Sequence, residues 1–445
     1  MTKIISRRWI YLPVEVKSRE LFPKLILASI AVQKGFGVFI GRNGMNISRD
    51  PFPRGIYFDK CLSIHKEKSH EEQVLAKKNL LVSLDEEGLL MSDEKVYTSR
   101  RICHRSLELS SIVFTWGNAQ KKIFTSVGQH QNKVILSGSP RIDSWRPKFS
   151  ATHTETAKAY RAKYGAFILV VSNWGLKKEE LASGLDPDGD YDSPRAQRRN
   201  KFINLIDSLS NHFPSTNIIV RPHPQDLDKY WRTKQQSFPR NVQVVKIGSI
   251  GPWLQAAKII IHNNCTTGLE AFIGGIPTIA FSPPLRGIDG DFNAYTFPIN
   301  NLGLICRSDQ ETIHAINKIN NDVDLQPSKI GEKIKNNFVY EEEKSSQLRL
   351  LSPIFINSLE SFEYKIPDFN IKRRLRAKIG VMKWRIQDLL GKSKYSLPYT
   401  RQKNPGIEYS DIYYDLEKIS GILGFEQNRI TIKKVDADTF CIFLV

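Results

Sequence analysis

Three carboxylates in a row, Asp85, Glu86 and Glu87, follow the apolar run LLVSL and are closed by Gly88. Carboxylates at the end of a buried strand project from the carboxyl edge of a sheet. Like charges so crowded should raise at least one pKa, which suits a group that takes a proton or attacks a sugar carbon. An acidic turn beside a glycine is also an ordinary solvated feature, and the run leaves open which of the three would act. A second run, IIV, ends in Arg221, Pro222, His223 and Pro224. The flanking prolines fix the backbone and remove competing amide donors, so the imidazole is held rigidly at a strand end. His223 and Arg221 can both donate to a phosphate, each charge-assisted bond being worth about 1.5–3 kcal/mol. A third run, III, leads into His262, Asn263, Asn264, Cys265, Thr266, Thr267 and Gly268, then a helical Leu-Glu-Ala-Phe. Hydroxyls at a helix start cap it, and the free amides with the helix dipole make an anion site. Gly268 permits close approach of a ligand, and Glu270 is placed to accept bonds from ribose hydroxyls. Glu15, Arg19, Trp116 and Arg141 also follow strands, as rim residues for a sugar or as ordinary turns, with Arg141 available to an anionic group. The run DPDGDYD, Asp186 to Asp192, is not a calcium loop, because Gln197 and Arg199 stand where a bidentate Glu is required. The acidic triplets there and at Asp289/Asp291 are too common to assign a metal.

These residues need strands to carry them. Residues 1–147 alternate short β-rich runs, Trp9 to Leu12, Val38 to Ile40, Ile56 to Phe58, Leu80 to Leu84, Ile112 to Thr115 and Val134 to Leu136, with helical segments. One of those helices has Pro23 in its expected first turn. Between Lys148 and Lys163 the apolar runs stop, and residues 164–330 restart the pattern with Phe167 to Val171, Ile218 to Val220, Val242 to Val245, Ile259 to Ile261 and Thr278 to Phe281. Helices are expected around Phe202 to Leu209 and from Thr267. The fold class is therefore α/β, two Rossmann-like domains whose strand ends face a central cleft where ligands bind. Residues 331–445 read as a separate extension. Within it, residues 371–394 carry nine Lys or Arg and one Asp, with Ile371, Leu375, Ile379, Met382, Ile386 and Leu390 on one helical face. Such a helix either lies on an anionic membrane surface or packs its apolar face on the second domain.

Composition sets the outer limits. At 445 residues, 40% hydrophobic and 25% charged, the chain is too apolar for disorder. An excess of 65 Lys and Arg over 46 Asp and Glu, +19 in all, favours phosphates, anionic headgroups or acidic sugars as partners without choosing among them. The five scattered cysteines suggest neither a disulfide framework nor zinc. No signal-peptide pattern or ~20-residue apolar span is present, so a cytoplasmic location is expected.

Taken together, LPVEVKSREL, SLDEEG, FTWGNAQ, GSPRID, IIVRPHP and GSIGPWLQAAKIIIHNNCTTGLEAFIGGIPTIAF resemble the bacterial surface carbohydrate biosynthesis proteins over residues 8 to 285. Three of the runs also resemble the signature of GT-B glycosyltransferases that use CMP-activated acidic sugars, the sialyltransferases and Kdo transferases. The resemblance implies Glu86 as the catalytic carboxylate, with Asp85 and Glu87 as neighbours that leave the assignment open. It implies His223 on the CMP phosphate, and Thr266 and Thr267 in place of the more usual serines. With Arg221, Asn263, Gly268 and Glu270 these would form the donor site; Glu15, Arg19, Trp116 and Arg141 would meet acceptor and sugar. The implied partners are a nucleotide-sugar donor, a lipid-linked oligosaccharide and an anionic membrane surface through 371–394. No metal, further cofactor or nucleic acid is called for, and the implied location is peripheral to the inner membrane. A sugar-nucleotide epimerase, a UDP- or CDP-donor transferase, and a non-catalytic scaffold of polysaccharide assembly share the same layout.

Overall fold

The computed structural model describes residues 4–42, 52–62, 71, 74–75, 78–87, 94–127, 131–175, 193–224, 226–286, 298–321, 336, 362–366, 369–390, 401 and 403–445. Gly88, the acidic loop 186–192, Asp289, Asp291 and residues 391–394 lie outside them. The chain divides into two compact units: residues 1–89, 94–144 and 337–445 make the first, residues 90–93 and 145–336 the second.

In the first unit, β1 (Ile4–Val14), β2 (Phe36–Arg42), β3 (Ile56–Asp59), β4 (Leu80–Leu84), β5 (Ile112–Thr115) and β6 (Val134–Leu136) form a parallel sheet in the order β2-β1-β3-β4-β5-β6. Buried apolar runs such as FGVFI in β2 suit strands covered on both faces. In the second unit, β7 (Phe167–Val171), β8 (Asn217–Arg221), β9 (Val242–Val244), β10 (Ile259–His262), β11 (Thr278–Phe281) and β12 (Leu304–Cys306) run parallel in the order β12-β11-β10-β7-β8-β9. This is the doubly wound Rossmann order, reversing between β7 and β10. Helix Pro194–His212 covers the sheet through Phe202, Leu205, Ile206 and Leu209, which share a core with β7, β8 and β10.

Two expectations about the elements change. Residues 331–445 are not set apart in their described part. β13 (Phe362–Lys365) pairs antiparallel with the start of β1, and the hairpin of β14 (Ile430–Asp436) and β15 (Thr439–Leu444) extends the first sheet, β15 lying antiparallel to β2. The edge of β2 is thereby closed by the last residues of the chain, a pairing that local periodicity cannot show. The first helix runs from Lys17 to Gln33, so Pro23 lies inside it, not in its first turn. Glu20 sets the start instead, its carboxylate accepting from the amides of Glu15 at 2.8 Å and Val16 at 3.2 Å. Among the described residues no helix is long and apolar enough to cross a membrane.

Candidate functional site

In open α/β sheets ligands settle at the carboxyl ends of the strands, where the strand order reverses. In the second unit that point lies between β7 and β10, and the loops after both strands are tied together there. Asn173, after β7, donates from Nδ2 to the carbonyls of Asn263 and Asn264 after β10. Asn263 donates to the Phe281 carbonyl at 2.7 Å. Asn264 takes a left-handed φ of 46°, which Asn tolerates better than most residues, and its amide donates to Asn300 Oδ1 at 2.9 Å. Helix Thr266–Ile273 begins immediately after, and the residue before it, Cys265, caps none of its first amides through the side chain. Thr267 accepts from the Cys265 thiol at 3.3 Å. The result is a helix start of two threonines, positive by dipole and held by asparagine bridges.

Gly268 has a different task from the expected approach to a ligand. A Cβ there would come within 2.4 Å of His262 Nε2, so only glycine lets the helix rest on that ring. His262 is 0% exposed, and neither ring nitrogen has a hydrogen-bond partner among the described residues. Burial alone lowers its pKa to about 4, so the ring is neutral near pH 7. Glu270 is buried one turn further along.

The loop after β8 corrects one assignment and adds a residue. Arg221, expected on a phosphate, is 8% exposed and spends its guanidinium on three carbonyls: Val245 at 3.0 Å, Ile247 at 2.6 Å and Gly248 at 3.0 Å. It also stacks over Trp253, 5.1 Å from the ring centre, and burial lowers its pKa to about 10. It fastens the 245–248 segment. His223 is half-buried, and its backbone is clasped by Asp226, which accepts from the His223 amide at 3.0 Å and donates its own amide to the His223 carbonyl at 2.9 Å. The same buried carboxylate accepts from Ser172 Oγ at 2.9 Å and Trp231 Nε1 at 3.2 Å, so it joins the loops after β7 and β8. Burial pushes its pKa up against the pull of Ser172, Arg195, the His223 amide and Trp231. Gly175 passes so close that a Cβ would lie 2.2 Å from Asp226 Oδ2. Sequence reasoning missed Asp226, although an Asp three residues after His223 in a proline-bounded turn is a readable signal.

In the first unit the order reverses between β1 and β3. Glu15, just after β1, pairs with Lys60, just after β3, and with Lys403 at 2.9 Å. The acidic run follows β4, and its three members separate. Asp85 is buried, accepting from Arg101 and from Tyr97 at 3.1 Å. Glu86 is bound to Lys24 at 2.9 Å and lines a small pocket with Leu12, Phe58, Lys60 and Arg141. Glu87 meets Arg19 at 3.4 Å and Arg101 at 3.2 Å. The expected rise in pKa does not occur at Glu87. Burial favours its neutral form, but Arg19, Arg101, Lys60 and Arg141 together hold it below the usual range. Lys24 also serves the buried Glu20 at 3.2 Å and the Pro13 carbonyl; burial opposes its charge, but Glu86 and Glu20 raise its pKa overall.

Arg19 is committed to Glu20 and Glu87, and Glu15 to its lysines, so neither stands open at a rim. Trp116, also expected at the rim, is 1% exposed and donates from Nε1 to the Asp85 carbonyl at 2.6 Å. Its amide bonds Gln120, which donates in turn to Tyr97. The loop Trp116–Gln120 is thus a brace behind the acidic turn. Arg141 is buried at the helix start after β6, where it lines the Glu86 pocket.

No family model matches the chain, and no curated protein matches it in sequence. Solved structures do match. The UDP-GlcNAc 2-epimerase of Methanocaldococcus jannaschii, in complex with UDP-GlcNAc and UDP, is similar with a TM-score of 0.50 and 12% identity, over 77% of this chain and 98% of that one. A variant of the wall teichoic acid polymerase TagF gives 0.53 and 11%, over 80% and 90%. A putative UDP-N-acetylglucosamine 2-epimerase from Listeria monocytogenes gives 0.50 and 11%, over 78% and 95%. At such identities the likeness is one of fold, and the chain has the α/β GT-B fold of two Rossmann-like units.

Proposed function

We propose that the protein is a glycosyltransferase that moves an acidic sugar, Kdo or a related ulosonic acid, from a CMP-activated donor to a growing lipid-linked surface polysaccharide, at the cytoplasmic face of the inner membrane. The observation that carries this reading is the start of helix Thr266–Ile273 at the reversal point of the second unit. There the Thr266 and Thr267 amides and hydroxyls offer a nucleotide phosphate a neutral, preorganised set of donors. His223, across β7, would steady the leaving phosphate. Asn263 and Glu270 would meet the rest of the donor.

The first unit would supply the carboxylate. Glu86 is the member of the acidic run that lines a pocket, while Asp85 is locked by Arg101 and Tyr97. In transfer, an acceptor oxygen bonds to the anomeric carbon as the bond from that carbon to the phosphate oxygen breaks. Glu86 either takes the acceptor proton, inverting the centre, or first forms a glycosyl ester and retains it. Lys60 and Arg141, which share the pocket, suit the carboxylate of an acidic sugar.

A second reading takes its support from the similar structures, whose descriptions name UDP-GlcNAc 2-epimerases and a teichoic acid polymerase: a UDP- or CDP-linked substrate on the same fold. Thermal unfolding with CMP, CDP, UMP and UDP separates the two, since a nucleotide at a hundred times its dissociation constant adds about 2.7 kcal/mol of stability. CMP is expected to stabilise, and UDP alone doing so would move the reading to the second class. Glu86→Gln should keep CMP binding and lose transfer by about two to four orders of magnitude. Full activity in that variant would reject the site, and no response to any nucleotide would leave a scaffold.

A further inference from the structure

Helix Ile371–Leu389 in the first unit has one attached side and one exposed side. Its least exposed positions are Arg373, Ala377, Val381 and Trp384, spaced four, four and three apart, which places them on one face. That face is the attached one: Arg373 donates to the Val435 carbonyl at 2.7 Å, and Arg42 lies over the Trp384 ring at 5.1 Å. On the other side Ile371, Leu375, Ile379, Met382, Ile386 and Leu389 are all exposed, Ile371 at 82% and Leu389 at 87%. At 3.6 residues per turn these six fall within a stripe about 100° wide. Lys372, Arg376 and Lys383 border it on one edge, and Arg374, Lys378 and Arg385 on the other. Its own unit leaves this apolar face uncovered among the described residues. The helix is fastened through Arg373 and Trp384 and turns its apolar stripe outward between two rows of cations.

We infer that this helix lies in the interface of an anionic lipid bilayer, apolar stripe toward the acyl chains and both cation rows at the headgroups, with β14 and the end of β2 holding it from behind. An apolar protein partner would leave the two rows of cations without a counterpart. An anionic headgroup layer fits both the stripe and its borders. At the start of the next helix, Tyr409–Leu423, the exposed Tyr409, Tyr413 and Tyr414 form a ring cluster of the amphipathic type that collects at headgroup level. Lys434 lies over Phe369 at 5.4 Å and pairs with Glu408 at 3.7 Å, so the two helix starts are neighbours.

The inference deepens the proposed peripheral location but is independent of donor chemistry, so the two fail separately. The test is co-sedimentation of the full chain with phosphatidylcholine vesicles, with and without phosphatidylglycerol. Binding is expected to need the anionic lipid. Lys372→Gln/Arg376→Gln/Lys383→Gln should weaken it about fivefold for each cation removed. Ile379→Glu/Ile386→Glu should weaken it at least as much, with the melting temperature and nucleotide response unchanged, because both side chains are exposed. Equal binding to neutral vesicles, or unchanged partition in both variants, overturns the inference. So does a lipid-free dimer that the stripe variant splits, which would show that a second copy covers the face.

Discussion

The reversal points of the two sheets are built from different materials. In the first unit every side chain of the acidic run is met by a cation: Asp85 by Arg101, Glu86 by Lys24, Glu87 by Arg19 and Arg101, with Glu20 buried between Arg19 and Lys24. In the second unit the loops after β7 and β10 are joined by the neutral Asn173, Asn263 and Asn264, and Ser172 and the buried Asp226 link the loops after β7 and β8. The difference bears on chemistry. A network of matched charges fixes the carboxylates in place beside a pocket that other cations share, which suits a site where positive charge develops. A cradle of amides and hydroxyls attracts an anion without changing its own protonation. The first kind of site is exposed to the loss of a single partner, and the second to the loss of a bridge.

The largest test of that contrast is Lys24→Met. It leaves Glu86 without its ion-pair partner and Glu20 with Arg19 alone, and breaking a buried pair typically costs about 3–5 kcal/mol. Denaturant unfolding of the full chain should show that loss, and Lys24→Arg, which keeps a cation between Glu20 and Glu86, should lose much less. A cost near that of an exposed pair would mean that the network is solvated. Next comes acid. His262 has its folded pKa lowered by burial to about 4 from an ordinary 6.5, so between those values the unfolded chain binds a proton that the folded one refuses. Its contribution is whole above pH 6.5, falls as pH drops toward 4 and is constant below; the span corresponds to about 3 kcal/mol. Stability measured against pH should therefore fall less steeply in that window in His262→Leu than in the parent chain. Parallel curves would place water or a partner on the ring.

Smaller effects separate the bridges from the surface pairs. Asn173→Ala removes the donor that joins the loops after β7 and β10. It should cost about 1 kcal/mol of stability and weaken nucleotide binding by roughly the same free energy, read by calorimetry. An unchanged affinity would take Asn173 out of the donor site. Glu87→Gln is the mildest, because that side chain is 35% exposed. Its pairs should be worth about 1 kcal/mol or less and fade with salt. A larger, salt-resistant loss would make Glu87 a structural equal of Asp85.

Much of the frame was legible in the chain. The buried strands stand out as short apolar runs because parallel strands are covered on both faces, and each candidate motif stands directly behind such a run. The identities at the second reversal point, Thr266 and Thr267 at a helix start and His223 between prolines, were likewise readable, since capping and turn chemistry are local. Arg221 and Trp116 were misread for a shared reason. A cation or an indole after a strand has the same sequence signature whether it faces a ligand or folds back on a carbonyl, and only the neighbouring loop decides. The hairpin β14-β15 and its partner β2 lie far apart in the chain, and the local pattern shows neither the hairpin nor the pairing.

By itself, then, the sequence determined most strands of the two Rossmann-like layers and which residue types stand at their ends, because periodicity, capping and turn preferences act within a few residues of one another. Tertiary structure alone decided which charges neutralise which, that Glu86 and not Asp85 lines a pocket, that Asp226 clasps His223, and that helix Ile371–Leu389 is held by its back with its apolar stripe outward. Those outcomes depend on groups tens to hundreds of residues apart in the chain. Burial and Coulomb energies are set by distance in space, which local pattern does not encode.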